Sequence, residues 1–217
     1  MIFQGSKKAI EGRGSPKSKR VVRVGLRSDG QAVTELDGTK LLVPTRHRDA
    51  RGYFREVWNT RTLAREGIDF APVQSNESYS ARRGTVRGLH YQAPPNAQGK
   101  LVYVSRGEIR DVVVDVRGGS ATYGHWSAAI LSAANGHQLF VPPGFLHGFV
   151  TLCDHTVVCY AVDAFYAPKA QGAVRWNDPT LKIDWGFSVD EVVLSDADSR
   201  AVAFGDWISP FSIGHAG

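Results

Sequence analysis

Cysteine is scarce in this chain of 217 residues. Cys153 and Cys159 lie six apart on what reads as one strand, which excludes a disulfide framework. Both read as small buried apolar residues in a reducing compartment. No pattern of cysteines and histidines matches a structural zinc site. Long apolar runs are missing too: nothing approaches the ~18 continuous apolar residues of a membrane span. The first residues, MIFQGSKKAIEG, have no apolar core after their lysines, so no secretory leader is expected and the setting reads as cytoplasmic. Net charge is absent from most of the chain. The total is +5, and residues 1–20 carry Lys7, Lys8, Arg13, Lys17, Lys19 and Arg20 against Glu11, six minus one, so the remaining 197 residues are formally neutral. A basic tail on a neutral body argues against a nucleic-acid-binding face.

What is present is ordinary for one globular unit, with 42% hydrophobic and 22% charged residues. The expected organisation is a basic flexible tail over residues 1–20, then a single domain over 21–217 that ends in a loop and helical extension. From residue 70 the pattern is one of short strands bounded by Gly, Pro, Asn or Asp: Val73–Tyr79, Thr85–Tyr91, Lys100–Ser105, Glu108–Val116, Trp126–Leu131, Gln138–Val141, Gly148–Thr151 and Thr156–Asp163. Tyr53–Trp58 alternates as an earlier strand, and Thr60–Gly67 is a short helical candidate stopped by Gly67. Arg106-Gly107 and Asn135-Gly136 fit hairpin turns. Many short antiparallel strands at even spacing mean a sandwich or barrel.

The chemistry concentrates between Arg82 and Lys100, in RRGTVRGLHYQAPPNAQGK. On a regular strand Arg87 and His90 would point to opposite faces. Gly88 between them suggests a bulge or a close backbone approach, and either re-aims neighbouring side chains. An imidazole flanked by fixed cations suits an anionic substrate.

Five pieces taken together resemble a known family. They are Arg51-Gly52-Tyr53-Phe54, Arg87-Gly88-Leu89-His90-Tyr91-Gln92, Gln98-Gly99-Lys100-Leu101-Val102, Pro143-Gly144-Phe145-Leu146-His147-Gly148-Phe149 and Arg175-Trp176-Asn177-Asp178-Pro179. The set, in this order and near this spacing, resembles the dTDP-4-dehydrorhamnose 3,5-epimerase family over about residues 41–200. The resemblance implies an all-β fold, a cupin-type double-stranded β-helix or jelly-roll barrel with a few short peripheral helices. It implies a homodimer whose protomers exchange an N-terminal strand. It also implies a substrate, a nucleotide-linked 4-keto-6-deoxyhexose, dTDP-linked in the family, handled with no metal and no organic cofactor.

The reaction type follows from chemistry. C3 and C5 of such a sugar flank the C4 carbonyl, so removing either proton gives an enolate. Inverting the centre needs a base on one face, an acid on the other, and a cation near the enolate oxygen. A histidine suits the base because its ordinary pKa of about 6.5 lies near working pH. By resemblance His90 is that base and Asp198 is the aspartate that orients it. Tyr160 is the opposing acid, and Lys100 stabilises the enolate. Arg51 and Arg87 match ligands of the diphosphate, a natural task for arginine. Glu56 matches an acidic residue near the nucleoside. Gln74 and Asn76 match a segment that meets the base, Phe165 an aromatic stacked on it, and His147 a second histidine near the sugar. Taken singly, Glu56 reads as a surface carboxylate, Tyr160 and Phe165 as core aromatics, and His147 as a structural strand-end histidine.

The chain departs from the family where Ser75 and Glu77 replace Asp and His, Gln171 replaces Glu, and Ala161 and Ala197 replace lysines. These changes leave the nucleotide and the sugar open, and nothing decides between C3, C5 or both. A non-catalytic sugar-nucleotide-binding cupin is a competing reading, but binding alone needs no opposed acid and base. A metal-dependent cupin is another. Its His-x-His pair with a following glutamate is missing, and His125, His137, His147 and His155 do not share that spacing.

Overall fold

The computed structural model describes residues 36–213 together with the backbone of three short strands before them. The expected 1–20 tail lies outside the described residues. The strands are β1 (Val22–Arg23), β2 (Gly25–Leu26), β3 (Ala32–Val33), β4 (Lys40–Leu42), β5 (His47–Asp49), β6 (Gly52–Phe54), β7 (Gln74–Ser80), β8 (Val86–Gln92), β9 (Lys100–Arg106), β10 (Glu108–Asp115), β11 (Trp126–Ser132), β12 (Gln138–Val141), β13 (Phe145–Thr151), β14 (Thr156–Val162) and β15 (Gln171–Ala173). Two short helices, α1 (Thr60–Arg65) and α2 (Asp196–Ser199), lie at the periphery.

Two sheets face each other. One runs β1-β11-β10-β13-β8-β15 and the other β4-β12-β9-β14-β7. From β7 onward each strand crosses to the other sheet, except that β10 and β11 pair directly. This alternation makes the chain a jelly-roll barrel of the cupin type. It also corrects two expectations. Neither Arg106-Gly107 nor Asn135-Gly136 closes a hairpin, because β9 and β10, and likewise β11 and β12, lie in different sheets. Both turns are corners between sheets. Gly107 has φ +83°, and a Cβ there would sit 2.5 Å from Thr156 Oγ1, so the corner needs glycine for space as well as for conformation. Two further bounds differ. β6 ends at Phe54 rather than Trp58, where Arg55 turns to donate to the Gly136 carbonyl at 3.0 Å. β13 begins at Phe145, which puts His147 within a strand rather than at its end.

Period-two patterning divides the apolar residues into three cores. Between the sheets lie Val102, Val104, Ile109, Val113, Leu131, Leu139, Phe145, Phe149 and Val158, among others. The outer face of the six-stranded sheet offers Val112, Val114, Leu146 and Val150 to Trp176, Leu181, Trp185 and Phe204 of the C-terminal segment. Asp178 ties that segment down: its buried carboxylate accepts from the Phe204 and Thr180 backbone N–H groups, each at 2.8 Å. The Arg175–Pro179 motif is therefore part of the scaffold. On the five-stranded sheet, Leu101, Phe140 and Ala161 pack with Leu63, Ile68 and Phe70 around α1. Asn59 caps α1, its side chain accepting from Thr62 N–H, and Gly67 at φ +69° follows it.

Candidate active site

The inner core fills part of the barrel, and beside it lies an open cavity of about 570 Å³ lined by both polar and aromatic side chains. Strand β8 supplies one wall. Its pairing with β13 runs His147 to His90 and then skips, so that Phe149 faces Arg87. Two residues of β8 oppose one of β13, which is a bulge. Gly88 makes it sterically feasible, since φ is +126° and a Cβ would lie 2.6 Å from Gly148 Cα. Both the bulge and the close approach expected from Gly88 are present. The consequence is that Arg87 and His90, three residues apart, line the same cavity.

The facing wall comes from three neighbouring strands. Tyr160 of β14 lies between Asn76 of β7 and Val102 of β9, and Val162 lies between Gln74 and Lys100. Residues alternate faces along each strand, so Gln74, Asn76, Lys100 and Tyr160 share the inward face. All four line the cavity.

His90 is held from behind. Its Nε2 lies 2.5 Å from Asp198 Oδ1. Asp198, in α2, is itself fixed: Ser195 Oγ donates to Oδ2 at 3.0 Å, and Asp198 N–H donates back to Ser195 Oγ at 3.1 Å. Burial pushes the Asp198 carboxyl up, but the hydrogen bond and charge of His90 and the bonds from Ser195 and the Gly88 backbone outweigh it, leaving the group below its ordinary value. A lasting carboxylate beside an imidazole fixes the orientation of the ring.

A second pair sits deeper. His147 Nε2 lies 2.7 Å from Oδ1 of Asp111, which is fully buried, while Asp111 Oδ2 has no hydrogen-bond partner among the described residues. Asp111 escaped the sequence reading, although a signal was there. A carboxylate inside the apolar run of β10 must find a partner, because burying it alone is costly. Burial pushes the Lys100 ammonium down to about 8, with the Asp111 carboxylate working the other way. Burial also raises the Tyr160 phenol, which Arg87 partly offsets and Tyr166 reinforces. Tyr160 is thus a protonated donor at neutral pH. Arg87 is braced against β7, its Nη2 donating to the Tyr79 carbonyl at 2.9 Å and its Nε to Ser80 Oγ at 3.3 Å.

The cavity therefore gathers His90, Lys100, Tyr160, Arg87, Gln74, Asn76 and His147, with Asp198 behind His90. Three expected residues lie off its wall. The Arg51 side chain is 90% exposed and pairs with Asp49 at 2.6 Å in the β5–β6 hairpin. Glu56 is exposed and accepts from Asn59 and Thr62 near α1. Phe165 is 70% exposed beside Tyr166, which does line the cavity. Gln92, Gln98 and Phe149 also contribute to the wall. All three stood in the quoted motifs without a role. No group of three or more His, Cys, Asp or Glu side chains able to hold a metal ion occurs among the described residues.

A cupin-type barrel with an imidazole on one sheet, backed by a carboxylate from α2, and a phenol and an ammonium on the other sheet defines a class: an acid–base cavity for a small anionic substrate. Comparison with known proteins narrows the class. The sequence model of dTDP-4-dehydrorhamnose 3,5-epimerase matches residues 33–206. The dTDP-4-dehydrorhamnose 3,5-epimerase of Sinorhizobium fredii is 49% identical over 160 residues, 74% of this chain and 82% of that protein. The crystal structure of the Bacillus anthracis enzyme of that name, with TDP and pyrophosphate bound, superposes with a TM-score of 0.77 at 45% identity, covering 79% of this chain and 97% of that one. The Legionella pneumophila dTDP-6-deoxy-D-glucose-3,5-epimerase, in complex with dTDP-4-keto-L-rhamnose, superposes with a TM-score of 0.75 at 39% identity, covering 78% and 89%. This chain belongs to the dTDP-4-dehydrorhamnose 3,5-epimerase family.

Proposed function

We propose that this protein is an isomerase that inverts C3, C5 or both in a dTDP-linked 4-keto-6-deoxyhexose. The observation that carries the reading is the opposition of His90, backed by Asp198, to Tyr160 across one cavity. His90 removes the proton from a carbon next to the C4 carbonyl, and the electron pair moves into an enolate. Asp198 stabilises the imidazolium that forms. Lys100, an ammonium below about pH 8, faces the negative charge on the enolate oxygen. Tyr160 gives its proton to the opposite face of the carbon and regains one from solvent, while His90 releases its own. The C4 carbonyl already acidifies the proton, so this route needs neither metal nor organic cofactor.

Arg87 binds the diphosphate, Gln74 and Asn76 meet the base, Phe165 stacks on it, and His147 with Asp111 stands near the sugar. Arg51 and Glu56 fit a homodimer in which exchange of an N-terminal strand carries each protomer's β5–β6 hairpin towards its neighbour's cavity. That places them off the cavity of their own chain. The remaining organisation follows the sequence reading: a basic tail over 1–20, one cupin-like domain over 21–217, a cytoplasmic setting, and neither nucleic acid nor membrane as partner. No helix among the described residues is long and apolar enough to cross a membrane.

The test is proton exchange. With dTDP-4-keto-6-deoxyglucose in D₂O, loss of the C3 and C5 proton signals by NMR marks a 3,5-epimerase, and loss of one names the carbon. His90→Ala abolishes the exchange without unfolding the chain. Binding without exchange in the wild type would mean a non-catalytic cupin.

A further inference from the structure

Residues 163–167 follow β14 and pass the cavity mouth without regular structure. They present Phe165 and Tyr166, 70% and 56% exposed. A segment outside any ladder ordinarily gives its backbone groups to water and moves. Here side chains take those groups instead. Gln98 Nε2 donates to the Ala164 carbonyl at 2.6 Å. Gln92 Nε2 donates to the Phe165 carbonyl at 3.1 Å, and Gln92 Oε1 accepts from Ala167 N–H at 2.8 Å. Gln74 Oε1 accepts from Tyr166 N–H at 3.1 Å. Asp163 Oδ1 accepts from Gly99 N–H at 2.7 Å, closing the start of the segment.

Gln92 is the centre of this set. It is 5% exposed, and its second amide hydrogen goes to the Asn96 carbonyl. A primary amide has two hydrogens to donate. Both are spent on backbone carbonyls and its oxygen is already engaged, so Gln92 borders the cavity yet keeps no donor for a substrate. What it does is fix the backbone that carries the two rim aromatics. We infer that Gln92 is a positioning residue for nucleotide recognition, holding residues 163–167 as a preformed aromatic platform for a planar base. The inference rests on the nucleotide-sugar reading above. A preformed platform spares the ordering cost that a loose segment would incur on binding.

The test separates base recognition from diphosphate recognition. Gln92→Met keeps the volume and removes all three bonds; Gln98→Met removes only the one to Ala164. Each variant and the wild type are titrated calorimetrically with dTDP and with inorganic pyrophosphate. Kd for dTDP should rise on the order of 10- to 100-fold in Gln92→Met and a few-fold in Gln98→Met, with pyrophosphate affinity held within about twofold. In turnover, KM for the sugar nucleotide should rise far more than kcat falls. A merely structural defect would weaken both ligands together and lower kcat. That result overturns the inference, as does wild-type dTDP affinity in both variants. If Gln92→Met does not fold, Gln98→Met decides by the same comparison. A wild-type protein that binds neither ligand defeats the nucleotide-sugar reading itself, and the platform with it.

Discussion

Replacing Asp198 by asparagine isolates what the carboxylate contributes to His90. The change keeps the shape of the group and its contact with the ring but removes its charge. Asp198 is 4% exposed and its Oδ1 lies 2.5 Å from Nε2, so the pair is poorly screened. Two unit charges about 4 Å apart, at an effective dielectric near 20, attract by about 4 kcal/mol. An amide oxygen would retain about 1 kcal/mol of that as an ordinary hydrogen bond. The net loss of about 3 kcal/mol corresponds to roughly a 100-fold slower step. The loss arises only once the imidazolium exists, so it falls on kcat and leaves KM nearly unchanged. The assay is the initial rate of C3 and C5 proton loss in D₂O at several substrate concentrations. A fall of less than about threefold, or one carried by KM, would refute the argument, because a 3 kcal/mol effect cannot hide in either. Stability gives an independent check. The folded carboxyl lies below its ordinary value, so its contribution is present above the unfolded pKa and is lost as pH falls through the folded one. The gap in melting temperature between wild type and Asp198→Asn should close as the pH is lowered through the carboxylate range.

Other expectations rest on separate residues. Tyr160→Phe has no proton to deliver, so inversion should slow by about 10²- to 10⁴-fold while same-face exchange at His90 continues; inversion at the wild-type rate would place the acid elsewhere. Lys100 loses its proton as pH rises through about 8, so the exchange rate should fall on that alkaline side, and Lys100→Arg should remove the inflexion. Its folded pKa lies below the unfolded value of 10.5, so Lys100 makes the fold less stable below about 8 and this cost disappears between there and 10.5. A denaturant titration of wild type and Lys100→Met at both ends of that window would show a constant difference if the ammonium were not desolvated. Gly88→Ala forces a Cβ to within 2.6 Å of Gly148 Cα at φ +126°. It should cost more than about 2 kcal/mol in chemical denaturation, and a change below about 0.5 kcal/mol would remove the steric reason for the glycine.

The sequence was legible wherever a local pattern decides the outcome. Alternation and turn residues gave the strands from β7 to β14 close to their observed bounds, except that β13 starts three residues earlier than expected. Gly67 marked the end of α1, and Gly88 marked the bulge. What failed was long-range. A glycine corner between two sheets and a glycine hairpin within one sheet share the same local chemistry, so Gly107 and Gly136 could not reveal which strands they would pair. Of the candidate site, His90, Lys100 and Tyr160, given their roles by resemblance, line one cavity from strands of two different sheets. Asp198 was likewise placed by resemblance, because a separation of 108 positions from His90 leaves no local trace of their contact. Asp111 was missed for the opposite reason. Its setting among valines was visible, but its partner His147 is 36 residues away, and nothing short-range joins them. Arg51 and Glu56 are a third case, since their distance from the cavity is a property of one chain and their proposed role belongs to two.

The fold gives a reason for the site's geometry. Epimerisation needs groups on the two faces of one planar enolate, so base and acid must come from opposite directions. In a barrel whose successive strands alternate between sheets, neighbours in sequence become opposite walls. His90 and Lys100 are ten residues apart, yet β8 and β9 lie in different sheets and the 93–99 corner sets the distance between them. That corner is fastened at several points: Gln92 holds the Asn96 carbonyl, Ala93 N–H donates to the Ala170 carbonyl at 2.8 Å, and Gly99 N–H donates to Asp163. Gly99 cannot take a side chain without moving Asp163, whose Oδ2 would lie 2.7 Å from a Cβ. That connection therefore helps to fix where Lys100 stands relative to His90. Gly99→Ala, which displaces Asp163 and need not touch a substrate, should change the rate of C3 and C5 proton loss in D₂O, and a wild-type rate would show that the corner leaves the site undisturbed.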